Sequence, residues 1–384
     1  MKDTKVIVVG GGMVGALTAL LLAKQGKLIY LVEKTPCASI DEDAPFDLRV
    51  SAFSAQSIKL LESADIWHLL PKQRLCAYNG LQTWEKGSQT LTFNAREIGF
   101  DQLGYIAENR CIQSALWERL RDFDNVHFYE NRSVIAIEHF DAGVSIELDD
   151  NQKLQADILV ACDGAHSDIL RQLAIGVTAW DYRHHCMLIH IKTNTGQQSV
   201  TWQEFRETGP CAFLPLADNN ASLVWYHSPA KIKQLCGLSN VQLKQTILEQ
   251  FPSLDFDFSV EAKGSFPLIR RHAHDYIKGR CVLLGDAAHT INPLAGQGVN
   301  LGFKDVECLV DLMGQSDITL EKVLNDYQAK RKPANLIMQT AMDFFYKSSK
   351  SERLVFRLLR KSMLGAAQNS GPLKKQVMRY AMGL

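Results

Sequence analysis

Short apolar runs ending in glycine alternate with amphipathic stretches through the first part of the chain. Lys5–Val9 is a β-branched apolar run of the kind that forms a fully buried parallel strand. It ends on Gly10-Gly11-Gly12-Met13-Val14-Gly15, after which Leu17, Leu20 and Leu21 recur at helical spacing. Leu28–Val32 predicts a second strand, with Glu33 at its end. Asp47–Trp67 starts extended and becomes a helix carrying Ile58, Leu60, Leu61 and Ile66. Leu81–Phe93 alternates around Lys86-Gly87 as a hairpin would, and Tyr105–Leu120 predicts a helix with one apolar face. Val126–Tyr129, Ser133–Phe140, Val144–Leu148, Ala156–Ala161 and Cys281–Leu284 predict further strands.

From Val177 the pattern changes to aromatic-rich alternation. Met187–Lys192, Val200–Phe205, Ala212–Leu216 and Ser222–Tyr226 predict an antiparallel sheet, crossed by a helix over Val241–Phe251. Lys263–Ile269 then returns the chain to the first domain. A helix follows Asp305 through Met313, and another covers Leu320–Lys332, closed by Pro333. The expected division is a Rossmann-type nucleotide domain over 1–75, 101–175 and 270–333. A sheet domain takes 76–100 and 176–269, and 334–384 form a helical tail.

Charge and cysteine content exclude several classes. Basic and acidic residues balance at 42 each, so no overall field points to nucleic acid. Nine scattered cysteines form no C-x-x-C pair, which suits a reducing cytoplasm and offers no zinc or disulfide framework. His184-His185 and His272/His274 lack a third ligand at metal spacing, so no metal is expected. The uncharged run Val6–Ala23 contains three consecutive glycines and reads as strand, turn and helix rather than a membrane anchor. The tail is uneven, with nine basic against two acidic residues, a net charge of +7. In Ser351–Leu364 an apolar face of Leu354, Val355, Leu358, Leu359 and Met363 is bordered by Arg353, Arg357, Arg360 and Lys361. Such a helix suits an anionic membrane or a protein partner; equally it suits docking on its own domain with a solvated basic face.

Three stretches carry candidate chemistry. Gly10, Gly12 and Gly15 with Glu33 form a dinucleotide fingerprint. The first glycine makes the turn, the second admits a pyrophosphate, the third allows close helix packing, and the carboxylate accepts from a ribose hydroxyl. The fingerprint does not separate NAD from FAD. Asp163-Gly164 follows a buried strand, where Asp163 serves either a ligand or the cap of a helix over 167–173. Gly285–Asp305 (GDAAHTINPLAGQGVNLGFKD) places Asp286 at a strand end, then Pro293, Gly296 and Gly298 before a helix start, a site for a large polar or anionic ligand.

In this order, GGGMVG with Glu33, ACDGAHS and GDAAHTINPLAGQGVNLGFKD resemble the class A flavoprotein aromatic hydroxylases of the p-hydroxybenzoate hydroxylase fold. DLRVSAFSAQSIKLLE and ENRCIQSALW are similar to the ubiquinone-biosynthesis hydroxylases. TWQEF, AFLPLADNNASLVWYHSPA, FPLIRRHA and YAMGL match best the branch acting on 2-octaprenyl-3-methyl-6-methoxy-1,4-benzoquinol. The resemblance covers the chain and implies an α/β fold, with a Rossmann-type FAD domain, an inserted antiparallel-sheet substrate domain and a C-terminal helical tail.

It also implies non-covalent FAD, with NADH or NADPH as electron donor and oxygen transfer from O₂ through a flavin C4a-hydroperoxide to a polyprenyl benzoquinol. Gly10, Gly12, Gly15 and Glu33 would hold the adenosine half. Arg49, Asn109 and Asp286 would contact the cofactor, Asp163-Gly164 would serve FAD and NAD(P)H, and the Gly296–Asn300 backbone, Gly298 included, would face the flavin pyrimidine edge. Phe213, Pro215, Trp225 and Pro293 are candidate pocket walls. No catalytic acid or base is assigned, and His289 is available but could brace its turn. A cytoplasmic enzyme resting on the inner membrane, or in a quinone-biosynthetic complex, would use the tail. Another ring position, an isoprenoid reductase and a non-catalytic FAD-bearing scaffold are the alternative functions.

Overall fold

The computed structural model describes residues 4–35, 37, 44–85, 88–251, 253–291, 298–349, 371 and 375–376. The first lobe opens with β1 (Lys5–Val9), α1 (Met13–Lys24), β2 (Leu28–Glu33), β3 (Val50–Ser54) and α2 (Ala55–Ser63). Then come β4 (Cys76–Tyr78), β5 (Gly80–Glu85), β6 (Leu91–Asn94), β7 (Gly104–Glu108) and α3 (Asn109–Leu120). Next are β8 (Val126–Glu130), β9 (Val134–Phe140), β10 (Gly143–Leu148), β11 (Lys153–Ala156), β12 (Ile158–Ala161) and α4 (Asp168–Gln172). The second lobe holds β13 (Val177–Thr193), β14 (Val200–Phe205), β15 (Cys211–Pro215), β16 (Asn220–His227), α5 (Pro229–Cys236), α6 (Asn240–Gln250) and β17 (Phe258–Ala273). The chain returns through β18 (Ile277–Lys278), β19 (Cys281–Leu283), β20 (His289–Thr290), α7 (Gly298–Met313) and α8 (Leu320–Ser349).

The first lobe is built on a sheet in the order β18-β19-β12-β1-β2-β8, parallel from β19 to β8. Val6, Ile7 and Val8 of β1 are fully buried, as are Ile158, Leu159 and Val160 beside them. Helix α1 is apolar on nearly every side because it is enclosed, touching α3 and α7 as well as the sheet. Each such side chain withdrawn from water contributes about 1.5–3 kcal/mol, which fixes the sheet edge where the glycine turns emerge.

The second lobe is an eight-stranded sheet, β20-β17-β13-β16-β15-β14-β5-β6, with the β5–β6 hairpin entering at its edge beside β14. One face packs under α5 and α6: Met187, Ile189, Phe213, Leu223 and Trp225 meet Ile232, Leu235, Leu243, Ile247 and Phe251. The opposite face turns to the first lobe. There His190 meets the ring of Phe46 at 5.6 Å, and a Cβ on Gly264 would lie 3.0 Å from Leu48.

Helix α8 corrects the expectation that Pro333 closes a helix, because it runs on through Pro333 to Ser349. The proline forfeits one hydrogen bond and crowds the preceding turn, but it lies on the exposed side. Anchors on the inner side hold both halves. Arg331 and Asn335 bond Asp305, Gln339 bonds the carbonyls of Arg271 and Thr290, and Asp343 takes Tyr182 and Arg270.

Candidate active site

The first glycine turn is held by steric necessity. Gly10 has φ +99°, and a Cβ there would lie 2.5 Å from the Cys162 carbonyl oxygen. A Cβ on Gly15 would fall 1.8 Å from the Gly10 oxygen, so α1 approaches β1 only because this position has no side chain. Gly12 differs, since a Cβ there meets nothing within 4 Å. It is the N-cap of α1 and provides no side-chain cap, so the first-turn N–H groups face open space as an anion site. Glu33 accepts from the Gly11 N–H and, at 2.8 Å, from the Thr35 N–H, which fixes its carboxylate beside the turn. Trp117 and Gln113 of α3, which the sequence did not single out, both donate to the Gly11 carbonyl.

Asp163 ends β12 at the same sheet edge. Ser167 caps α4 through the Leu170 N–H, and Asp163 Oδ2 accepts from Ile169 N–H at 3.1 Å. The other carboxylate oxygen, Oδ1, is buried without a partner among the described residues. Burial pushes the Asp163 pKa up, against hydrogen bonds from Ser167 and nearby amides. Gly164 follows at φ +82° with open space around it.

The second turn packs directly on the first. Val14 of α1 sits against Gly285, whose φ is +58°, and a Cβ on Gly302 of α7 would lie 2.7 Å from it. Asp286 is the exposed residue of this turn, between buried Gly285 and Ala287. Crowding by protein raises its pKa, while His289 and Arg49 pull it down. Arg49 is exposed, and its carbonyl accepts from the Asn109 N–H at 3.0 Å, bringing these two expected contacts together. The Asn109 side chain accepts from Ser51 Oγ at 2.7 Å. Beneath them Glu108, fully buried, binds Arg74, Arg110 and the Asp47 N–H, which holds the chain leading to Arg49.

His289 braces the turn, donating from Nε2 to Asp305 at 2.5 Å. Asp305 also accepts from Gly285 N–H, Arg331 and Asn335. Burial alone would raise the Asp305 pKa, but His289, Arg331 and Asn335 more than offset it and hold it at about 2. Gly298 opens α7. The Asn300 side chain binds Ser54, Ser57 and Ala52, which ties the start of α7 to β3 and α2. Pro293 and Gly296 lie outside the described residues.

The expected pocket walls on the sheet need correction. Phe213 stacks on Trp202 and Trp225 meets Phe251 edge-on, both within the core under α5 and α6. Pro215 alternates onto that same face. The face toward the first lobe carries Leu188, Ala212, Leu214, Val224 and Gly264, which remain only partly buried although their strands lie inside the sheet. Leu188 and Val224 border a cluster with Tyr182, Cys186, Tyr226, Leu268 and Tyr346, Leu214 borders Ala52, Ile106 and Leu216, and the remainder of this apolar face stays accessible.

Comparison with known proteins places this geometry. The family described as "FAD binding domain" matches residues 3–341. The chain belongs to that family. The 3-demethoxyubiquinol 3-hydroxylase of Escherichia coli (strain K12) is 41% identical over 388 residues, spanning 100% of this chain and 99% of its own. The mitochondrial ubiquinone biosynthesis monooxygenase COQ6 of Xenopus tropicalis is 32% identical over 98% of this chain and 92% of its own. Among solved structures, PqsL of Pseudomonas aeruginosa, a probable FAD-dependent monooxygenase, superposes with a TM-score of 0.78 at 20% identity, covering 91% of this chain and 97% of its own. The p-nitrophenol 4-monooxygenase PnpA of Pseudomonas putida DLL-E4 gives 0.76 at 20% identity, over 100% and 97%. These two likenesses concern the fold. For the FAD binding domain family, the open space at Gly12 and the partnerless Asp163 Oδ1 fit an FAD ligand with its anionic pyrophosphate and hydrogen-bonding hydroxyls.

Proposed function

We propose that the chain hydroxylates the ring of a polyprenyl benzoquinol in ubiquinone biosynthesis, with NADH or NADPH and O₂ as co-substrates. The observation that carries this reading is 41% identity, end to end, with a protein named 3-demethoxyubiquinol 3-hydroxylase. The glycine turns described above support it as the place where FAD is held.

Gly10, Gly12, Gly15 and Glu33 would hold the adenosine and pyrophosphate half, and Arg49, Asn109, Asp163, Gly164 and Asp286 the remainder. The N-terminal end of α7, from Gly298, supplies partial positive charge to an anionic flavin edge. Bound FAD would take two electrons from NAD(P)H and activate O₂ for insertion of one oxygen atom into the ring. The protein contributes a dry surface for the ring. Leu188, Ala212, Leu214 and Val224 present no charge, so a flat apolar substrate displaces water there. A quinol ring is electron-rich, and the reading assigns no side chain as acid or base.

The substrate's tail directs the enzyme to a lipid surface. No helix among the described residues is long and apolar enough to cross a membrane. On α8, however, Leu336 and Ile337 are 42% and 65% exposed, and the +7 region continues from there. A cytoplasmic protein resting peripherally on an anionic membrane fits both features. The deciding experiment supplies ¹⁸O₂, NAD(P)H and demethoxyubiquinol to the FAD-loaded protein. One labelled oxygen in the ring is expected, whereas label arriving from water, or no hydroxylated product, would reject the assignment.

A further inference from the structure

We propose that Asp305 is a positioning residue through which α8 sets the Gly285–Asp286 turn, making FAD retention depend on the C-terminal helix. The proposal rests on the reading that Asp286 contacts the cofactor.

Four donors converge on this one carboxylate, which is 0% exposed. Gly285 N–H at 3.1 Å and His289 Nε2 at 2.5 Å reach Oδ2, both from the turn. Arg331 Nε at 2.7 Å and Asn335 Nδ2 at 3.0 Å reach Oδ1, both from α8. The two oxygens therefore divide their work, one for the loop and one for the helix. One turn further along α8, Gln339 donates to the carbonyl of Thr290 at 3.1 Å. The helix thus grips the loop at both ends, at Gly285 through Asp305 and at Thr290 directly.

The turn has little freedom to absorb a loss of this grip. Gly285 lies against Val14 of α1, and Gly302 closes on Val14 from α7. A shift of Gly285 therefore is not taken up by its neighbours and carries Asp286 with it. Without Arg331 the buried Asp305 charge lacks its permanent counter-charge, and an uncompensated buried carboxylate relaxes by moving or taking a proton. Either response changes what Gly285 and His289 are bonded to.

The experiment titrates apoprotein with FAD, following flavin fluorescence and the visible band of the bound flavin. The variants are Asp286→Ala, Arg331→Gln, Arg331→Lys and the double Asp286→Ala/Arg331→Gln. Arg331→Gln should raise the FAD Kd about tenfold and shift the visible band, a coupling of the size that neighbouring residues show. Arg331→Lys, which keeps the charge, should recover most of the affinity. The double variant should bind no more weakly than Asp286→Ala alone, because both changes remove one contact. Additive losses would overturn the proposal and leave the Asp286 reading intact; unchanged FAD affinity in Asp286→Ala would remove the reading itself. Should Arg331→Gln fail to fold, Asn335→Ala removes a donor to the same oxygen. A several-fold rise in its Kd supports the proposal, and an unchanged Kd overturns it.

Discussion

The indole Nε1–H of Trp117 donates a 2.7 Å hydrogen bond to the carbonyl oxygen of Gly11. Helix α3 thereby holds the carbonyl of the residue whose N–H goes to Glu33, so Gly11 is held through both of its peptide groups. Trp117→Phe keeps most of the buried ring and deletes this bond, worth about 1 kcal/mol. FAD should bind several-fold more weakly, with a smaller change in apoprotein melting temperature. Titration and melting of the same preparation check this.

Gly12 and Gly15 should fail in different ways. A Cβ at 12 meets nothing within 4 Å, so Gly12→Asp should fold and emerge colourless, its carboxylate occupying the phosphate site. Gly15→Ala collides with the Gly10 carbonyl and should destabilise the fold by about 1–3 kcal/mol, as overpacking does. Flavin content per folded protein and thermal melts separate the two. Full FAD in Gly12→Asp would mean that this turn does not hold the cofactor.

The two faces of the large sheet predict opposite outcomes. Val224→Phe fills the open side and should suppress hydroxylation while leaving FAD bound. The unused reducing equivalents should appear as hydrogen peroxide. Phe213→Ala empties the core under α5 and α6 and should cost about 3–5 kcal/mol of stability, without raising the peroxide yield per NAD(P)H consumed. Peroxide yield and melting temperature are the two measurements.

Acid should release the Asp305 node. Its pKa falls from 3.8 to about 2 on folding, so its stabilisation is complete above about pH 4 and is lost as pH drops toward 2. The loss is on the order of 2 kcal/mol. Asp163 is shifted upward by burial and Asp286 by the protein crowding around it, so they oppose folding as pH rises through their raised values and do not mimic this effect. Asp305→Asn should flatten the acid limb of the unfolding curve measured from about pH 5 down to about pH 2, a range that spans the unfolded and folded values of this group.

Reversing Arg353, Arg357 and Arg360 to Glu should weaken binding to anionic vesicles, since each basic residue near such a surface contributes roughly 1 kcal/mol. Activity on a long-tailed quinol should fall more than on a short-tailed analogue, with FAD content unchanged. Those residues lie outside the described part of the chain. Equal losses on both substrates would assign the segment to the fold or to a protein partner.

The parts of the site that depend on backbone were legible in the chain itself. Gly10, Gly15 and Glu33 announce themselves because a turn, a close approach and a strand end each demand a residue type. Phe213 and Trp225 were legible as sheet residues but not by face. Both sides of this sheet are apolar, one under helices and one toward the other lobe, so alternation carries no polarity label. Pro333 resembles a terminator because its cost is local, whereas the anchors that outweigh it sit far away in sequence. Asp305 could have been noticed as a charge among Phe303, Val306 and Leu309 on the buried side of α7, but its partners from α8 are set by tertiary packing alone.

The lobes are joined by a ribbon, not a tether. β13 and β17 stay hydrogen-bonded to each other from Val177–Ala273 near the first lobe to Thr193–Phe258 at the far end. A two-stranded ribbon resists swivelling and yields chiefly by bending, most easily where its ladder is interrupted. The ladder is irregular at two places, between His190 and Ile191 and, nearer the first lobe, between Asp181 and His185, where Arg183 takes φ +53°. At that spot Tyr182 is clasped by Asp343 of α8, and Arg270 of β17 holds the same carboxylate. The helix therefore acts as a splint across the break nearer the first lobe, so bending of the ribbon at that place must first loosen Asp343.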